Sequence, residues 1–116
     1  MAVVSLRIDL GEDRRFGPGK ARLLELIGDT GSISAAGRAL GMSYRRAWLL
    51  TDELNRMFGV PLVEPQHGGA KGGGARVTEH GITVLEAYRR IETATEAALE
   101  REKKVFKAKG KRLTSK

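Results

Sequence analysis

Apolar residues recur in this chain with two different periods, and the switches between them mark out its elements. Val4, Leu6 and Ile8 alternate with Ser5, Arg7 and Asp9, the period of a half-buried strand. Phe16-Gly17-Pro18-Gly19 supplies a turn and a helix start. A first helix is expected from there to about Ile27, with Leu23, Leu24, Leu26 and Ile27 on its apolar face, and Gly28 and Gly31 are expected to bracket the turn that ends it. Ser32 is placed to cap a second helix in which Ile33, Ala36 and Leu40 fall at helical spacing. Its small residues Ala35, Ala36 and Gly37 allow another helix to cross closely.

Gly41 tolerates the positive φ that a tight bend between helices needs, and Ser43 then caps a third helix over Tyr44 to Phe58. Ala47, Thr51, Leu54 and Phe58 make its core stripe, with Leu50 and Met57 beside it and Arg45, Leu49, Asp52 and Arg56 opposite. Gly59 and Pro61 end it. Leu62-Val63 and Arg76-Val77 are short β-type segments around PQHGGAKGGGA. Thr78 opens a last helix to about Lys107, whose apolar positions Ile82, Leu85, Tyr88, Ile91, Ala98, Leu99, Val105 and Phe106 recur at three- and four-residue steps. A helix of ~28 residues is ~40 Å long, more than a small domain can cover, so its far half needs a partner. The stripe reads either as intramolecular core near its start or as a dimer seam beyond Tyr88.

A chain of 116 residues supports one small core, so a single domain is expected over residues 1–108 with a disordered basic tail at 109–116. With aromatics at 5% that core is expected to be aliphatic. The absence of cysteine excludes disulfides and thiolate metal sites and points to a reducing compartment. No apolar run approaches a membrane span and the N-terminus has no secretory h-region, so a cytoplasmic protein without membrane contact is expected.

The formal net charge of +7 is unevenly placed. Residues 1–100 hold 13 Lys/Arg and 13 Asp/Glu, while residues 101–116 hold 8 Lys/Arg and only Glu102. A basic tail alone is a weak signal for nucleic acid, because such tails are often merely solvated. Between Arg38 and Arg76, however, lie Arg38, Arg45, Arg46, Arg56, Lys71 and Arg76 against Asp52, Glu53 and Glu64.

The head of the third helix carries the sharpest chemistry. Ser43, Tyr44, Arg45, Arg46 and Leu49 stand where a recognition helix presents side chains to base edges, with its N–H groups toward phosphate. An arginine there can grip guanine O6 and N7, or pair with phosphate. The bland alternative is a solvated surface helix, but cations at a helix N-terminus oppose the macrodipole at a cost of about 0.3–1 kcal/mol each. Trp48, the only tryptophan, could meet the DNA backbone through its indole N–H, and packing over the core edge is the favoured expectation.

The loop GGAKGGGAR lacks the GK[ST] ending of a phosphate-binding P-loop and no helix follows its lysine. It fits a wing that lays its backbone and Lys71 along a phosphate or minor-groove track, with Arg76 as a second DNA-contacting cation; the alternative is a flexible, disordered hairpin. Its glycines make ordering entropically expensive, so it is expected to stay mobile until bound. His67 and His80 lack cysteine partners or a carboxylate pair, so no catalytic, metal or cofactor role is assigned to them. Asp52-Glu53 reads as solvated helix surface.

Helix, tight turn, basic-headed helix and flexible β-loop together give the expected fold class: mainly α with a small β component, a winged helix-turn-helix with a long C-terminal dimerisation helix. At this point the residues carry a resemblance. FGPGKARLLELIGDTGSISAA, GMSYRRAW, LVE and a GGAKGGG wing closed by VTEHG resemble the N-terminal DNA-binding domain of ModE-type, molybdate-responsive transcriptional regulators. More distantly, Leu54, Gly59-Val60-Pro61-Leu62 and Thr78-Glu79-x-Gly81 are similar to LysR-type regulators. The match spans about residues 4–100.

The resemblance implies a dimer on a palindromic operator, with Ser43, Tyr44, Arg45, Arg46 and Lys71 in contacting positions. Two departures stand out. The family's molybdate-binding domains have no counterpart in these residues, so no small-molecule effector is expected to act on this chain. Pro65 also replaces an arginine usual before the wing. The expectation is a sequence-specific, double-stranded-DNA-binding transcriptional regulator acting as a homodimer, not an enzyme. The alternatives are a non-specific nucleoid-type protein, or a DNA-binding subunit that pairs with a separate sensor.

Overall fold

The computed structural model describes residues 3–66 and 74–107. Its elements run β1 (Ile8–Asp9), β2 (Arg15–Phe16), α1 (Pro18–Thr30), α2 (Ile33–Ala39), α3 (Tyr44–Met57), β3 (Val63–Gln66), β4 (Gly74–Val77) and α4 (Glu79–Glu102).

The three hydroxyl caps fall where the sequence places them. Ser32 Oγ accepts from Ala35 N–H, Ser43 Oγ from Arg46 N–H and Thr78 Oγ1 from Gly81 N–H, each bonding an amide that has no partner within its helix. Four residues separate α2 from α3, and Gly41 bends between them at φ 70°. The helices cross closely because a Cβ on Gly37 would lie 2.7 Å from that of Ala47.

Several boundaries differ from expectation. α1 passes through Gly28 and stops only at Gly31, whose φ of 71° leaves the helical region while its N–H closes on Ile27 O. The alternation from Val3 to Leu10 does appear as alternating burial, yet only Ile8 and Asp9 are laddered, against a second short strand not foreseen at Arg15–Phe16. The turn joining them places Glu12 and Asp13 at positive φ, a conformation that aspartate adopts more readily than glutamate. α4 ends at Glu102 rather than near Lys107, passing into short i→i+3 turns. The expected tail at 109–116 lies outside the described residues.

The core is mostly aliphatic, as expected, and two buried aromatic rings, Phe16 and Tyr88, pack within it. Phe16 and Tyr88 are almost fully buried with ring centroids 5.0 Å apart, edge to face, and Phe58 stands 6.3 Å from Phe16. Leu23, Leu24, Ile27, Leu54 and Leu62 pack around them. Tyr88 also donates its hydroxyl to Leu6 O at 2.6 Å, tying α4 to the segment before β1 across 82 positions of sequence. Burial raises its pKa, with the Glu92 carboxylate adding to the shift.

A radius of gyration of 17.7 Å exceeds the roughly 13 Å of a compact domain of this length, because α4 projects beyond the core it caps.

Candidate nucleic-acid interface

α3 is held rigidly at both ends. At its start the Ser43 cap fixes the first turn. At its end Arg14 Nη1 donates to Met57 O at 3.0 Å, satisfying a terminal carbonyl with a cation. Asn55 clamps the helix to the wing: its Oδ1 accepts from Leu62 and Val63 N–H at 2.9 Å each, and its Nδ2 donates to Val63 O at 3.0 Å. Sequence reasoning missed Asn55. Its only signal is an amide side chain one turn from a helix end, facing a segment that proline keeps non-helical.

Ala47, Leu50, Thr51, Leu54 and Met57 face the core, which turns Arg45, Leu49, Asp52 and Arg56 outward as the wheel requires. The outward face changes character along its length. Asp52 and Arg56 form an ion pair at 3.0 Å, and Glu53 pairs with Lys20 at 3.1 Å. Arg45 and Arg46 are exposed, no acidic residue stands in the first turn, and their guanidinium groups meet no acceptor among the described residues. Along the outward face of α3, positive charge is therefore uncompensated at the head and paired further on.

Trp48 corrects the expectation of a packed side chain. It is 47% exposed and lies edge-to-face on Tyr44 at 6.1 Å, on the outer side of the helix. The stripe buried against the core is completed by Thr51, whose hydroxyl is satisfied by Ala47 O at 2.8 Å, and Trp48 falls outside it. Tyr44 is 65% exposed and Leu49 49%. Tyr44, Arg45, Trp48, Leu49 and Asp52 line one shallow depression. The structure thus brings Ser43, Tyr44, Arg45, Arg46 and Leu49 onto the first turns of one helix, with Trp48 among them.

The wing strands pair antiparallel in the register Val63↔Val77, Glu64↔Arg76, Pro65↔Ala75 and Gln66↔Gly74, longer than the segments expected. Arg76 is exposed and its guanidinium bridges to Glu64 directly opposite, so of the two wing cations assigned from sequence it is already paired. Lys71 and His67 lie outside the described residues. Ala75 N–H donates to Gly31 O at 2.9 Å, away from β3. The pair it forms with Pro65 is therefore a non-hydrogen-bonded one, and the missing proline N–H takes no bond from the ladder. The same contact links the wing base to the turn between α1 and α2.

α4 starts against this base: a Cβ on Gly81 would lie 2.5 Å from Leu62 O. Arg89 joins it to α1 through Glu25 at 3.2 Å and pairs with Glu92 at 2.8 Å. His80 stacks edge-on to Phe58 at 6.2 Å. Beyond Tyr88 no described residue is fully buried, and Ile91, Val105 and Phe106 are exposed. No helix among the described residues is long and apolar enough to cross a membrane.

Comparison with known proteins converges on this arrangement. Residues 19–82 match the model of the bacterial regulatory helix-turn-helix proteins of the lysR family. The chain is 39% identical over 97 residues to the molybdenum-pterin-binding protein MopA of Rhodobacter capsulatus, covering 84% of this chain and 37% of that protein. It is 36% identical over 101 residues to the molybdenum transport protein ModE of Azotobacter vinelandii, covering 87% and 37%. It is 34% identical over 87 residues to the DNA-binding transcriptional dual regulator ModE of Escherichia coli strain K12, covering 75% and 33%. The chain thus spans about a third of the length of these relatives, and the resemblance to ModE-type proteins read from its motifs holds. In fold it is similar to the CbnR DNA-binding domain in its DNA complex, with TM-score 0.58 at 23% identity over 75% of this chain and 94% of that one.

Proposed function

The chain belongs to the lysR family of bacterial regulatory helix-turn-helix proteins, and from that premise we propose that it is a sequence-specific, double-stranded-DNA-binding transcriptional regulator acting as a homodimer. The observation that carries this reading is the head of α3. Two exposed arginines with no acid in their helical turn stand on a capped, doubly clamped helix whose remaining outward charges are paired. That surface is preorganised for a polyanion. The preceding close-crossing helix leaves the first two turns free to enter a major groove.

Ser43, Tyr44, Arg45, Arg46 and Leu49 contact the DNA from α3, and Lys71 and Arg76 from the wing. Arg76 exchanges Glu64 for phosphate or keeps it. Pairing of two copies along α4 covers Ile91 and Leu99 and doubles the contact with a palindromic site. The relatives named for molybdenum binding or transport are about three times longer than the matched segment, and regulation of a molybdenum-related process by this chain is an extension of that likeness.

The test is enrichment of duplexes from a randomised pool by the full chain, followed by titration of enriched and scrambled duplexes. A palindromic consensus with a 10³-fold or larger preference is expected. A second reading, non-specific packaging, is favoured by one observation: residues 101–116 carry 8 Lys/Arg against one acid. It predicts equal affinity for both duplexes and a steep salt dependence.

A further inference from the structure

The outer face of α3 is unusual in what it exposes beside its arginines. Tyr44, Trp48 and Leu49 occupy two successive turns and are each about half exposed or more, whereas the helix's core residues Ala47, Leu50, Leu54 and Met57 are at most 9% exposed. Tyr44 and Trp48 meet edge to face, with ring centroids 6.1 Å apart. Leu49 adjoins it on the side toward Arg45, and all line one depression that Asp52 closes. A surface built only for phosphate would gain nothing from these groups. They offer one hydrogen-bond donor in the indole N–H and one hydroxyl, and otherwise hydrocarbon.

In the major groove, thymine is the base that presents a hydrocarbon group, its C5 methyl. We infer that Trp48 and Leu49, steadied by Tyr44, form an apolar reader of thymine 5-methyl groups, so that sequence is specified by thymine packing while Arg45 and Arg46 anchor the flanking phosphates or a neighbouring guanine. The inference rests on the reading of α3 as the groove-facing helix and adds the chemical class of base that it selects. Charge complementarity commits the patch to DNA over a protein partner, because Arg45 and Arg46 adjoin it uncompensated and Asp52 is neutralised by Arg56. The paired Asp52–Arg56 also closes the reading face after two turns.

The experiment uses the full chain and the duplex that it enriches from a randomised pool. Each thymine is replaced in turn by deoxyuridine, which removes only the methyl group and leaves O4 and base pairing intact. Wild-type affinity is expected to fall about fourfold for each contacted methyl, the value of one buried CH2-sized group. Trp48→Ala and Leu49→Ala should weaken the parent duplex and show no further loss with deoxyuridine at the position each one covers. Arg45→Ala should weaken every duplex by a common factor and keep the deoxyuridine penalties. Since Trp48 is the only tryptophan, its fluorescence should shift to the blue and resist acrylamide when the duplex binds.

Deoxyuridine without effect at any position overturns the inference, as do penalties that survive undiminished in both Trp48→Ala and Leu49→Ala. So does a Trp48→Ala chain with normal DNA affinity and lost self-association, which would make the patch a contact between copies. These results leave the regulator reading standing as long as a consensus is enriched. If the pool yields none, both fall.

Discussion

α3 and α4 both begin at a hydroxyl cap and both leave large apolar side chains in water, but they do so in opposite electrostatic settings. On α3 the exposed groups share two turns with Arg45 and Arg46, and no acid lies in the first turn. On α4 the exposed Ile91 is flanked along the chain by Arg89, Arg90, Glu92 and Glu96, charges of both signs. Uncompensated positive charge beside an apolar surface suits a polyanion with hydrocarbon in its groove. Mixed charge beside an apolar stripe suits a second helix of the same kind. Exposure alone says only that something is missing; the neighbouring charges say what.

The comparison can be broken first at the far half of α4. Removing residues 91–116 leaves every fully buried residue among those described, so the core should fold. Sedimentation should change from a mass near twice 12.6 kDa to a monomer at micromolar concentration. That is a loss of about 8 kcal/mol of association free energy on a micromolar scale. A full chain that sediments as monomer removes the dimer.

Next, Tyr88 and Ile91 lie three residues apart on either side of the boundary. Tyr88→Ala should cost about 4 kcal/mol in denaturant unfolding, since Tyr88 is nearly fully buried against Phe16. Ile91→Ala should cost below ~1 kcal/mol in the folding of each copy and act on association instead. Equal effects would mean that the core extends further along α4 than its burial indicates.

At the head of α3, Arg45→Ala or Arg46→Ala should weaken binding to the selected duplex by about 1–3 kcal/mol while leaving unfolding unchanged. Titration with both variants at unchanged affinity would show that α3 is not the reader. Deleting residues 107–116 removes Lys107, Lys109, Lys111, Arg112 and Lys116 and should act on phosphates alone. Each lost contact lowers the salt slope by about 0.9, with selected and random DNA weakened together. A collapse of their ratio would move recognition into the tail.

The smallest effect is in pH. Burial holds Tyr88 neutral and raises its pKa, so its contribution to stability is present below the pKa of an unfolded tyrosine, about 10, and is lost as pH rises through the higher folded value. Tyr88→Phe should lose the Leu6 hydrogen bond, about 1 kcal/mol, at neutral pH and should not share the wild type's alkaline decline.

What was legible in the sequence was local. Ser32, Ser43 and Thr78 announce helix starts because a side-chain oxygen can reach an amide three residues on, and Gly31, Gly41 and Gly59 announce stops because each sits at positive φ. What was illegible depended on contacts distant in sequence. Phe16, Phe58 and Tyr88 meet only after the hairpin, α3 and α4 have come together, so their scarcity in the composition hid their role. The β1–β2 turn runs through Glu12 and Asp13 at positive φ, and Glu12 does so against the preference of its residue type. Trp48 reads from sequence as packing over the core edge, because a lone tryptophan at the stripe's border ordinarily packs. Its exposure follows from Thr51 and Leu54, which fill that side of the helix. Asn55 serves two peptide N–H groups and one carbonyl of a segment seven and eight residues away, a use that nothing in its own neighbourhood signals.

The bond from Ala75 to Gly31 has a consequence for distance along the double helix. A single peptide contact fixes the wing strand to the turn that also aims α2 and α3, and a side chain on Gly74 would come within 2.9 Å of the same carbonyl. The phase between the element in one groove and the element beside it is thereby set by two glycines rather than by side-chain packing. A substitution such as Gly74→Ala is expected to alter footprint length in nuclease protection before it alters which bases are preferred, since it moves one reading element relative to the other and changes neither. Spacing and letter are in that sense written in separate parts of the chain.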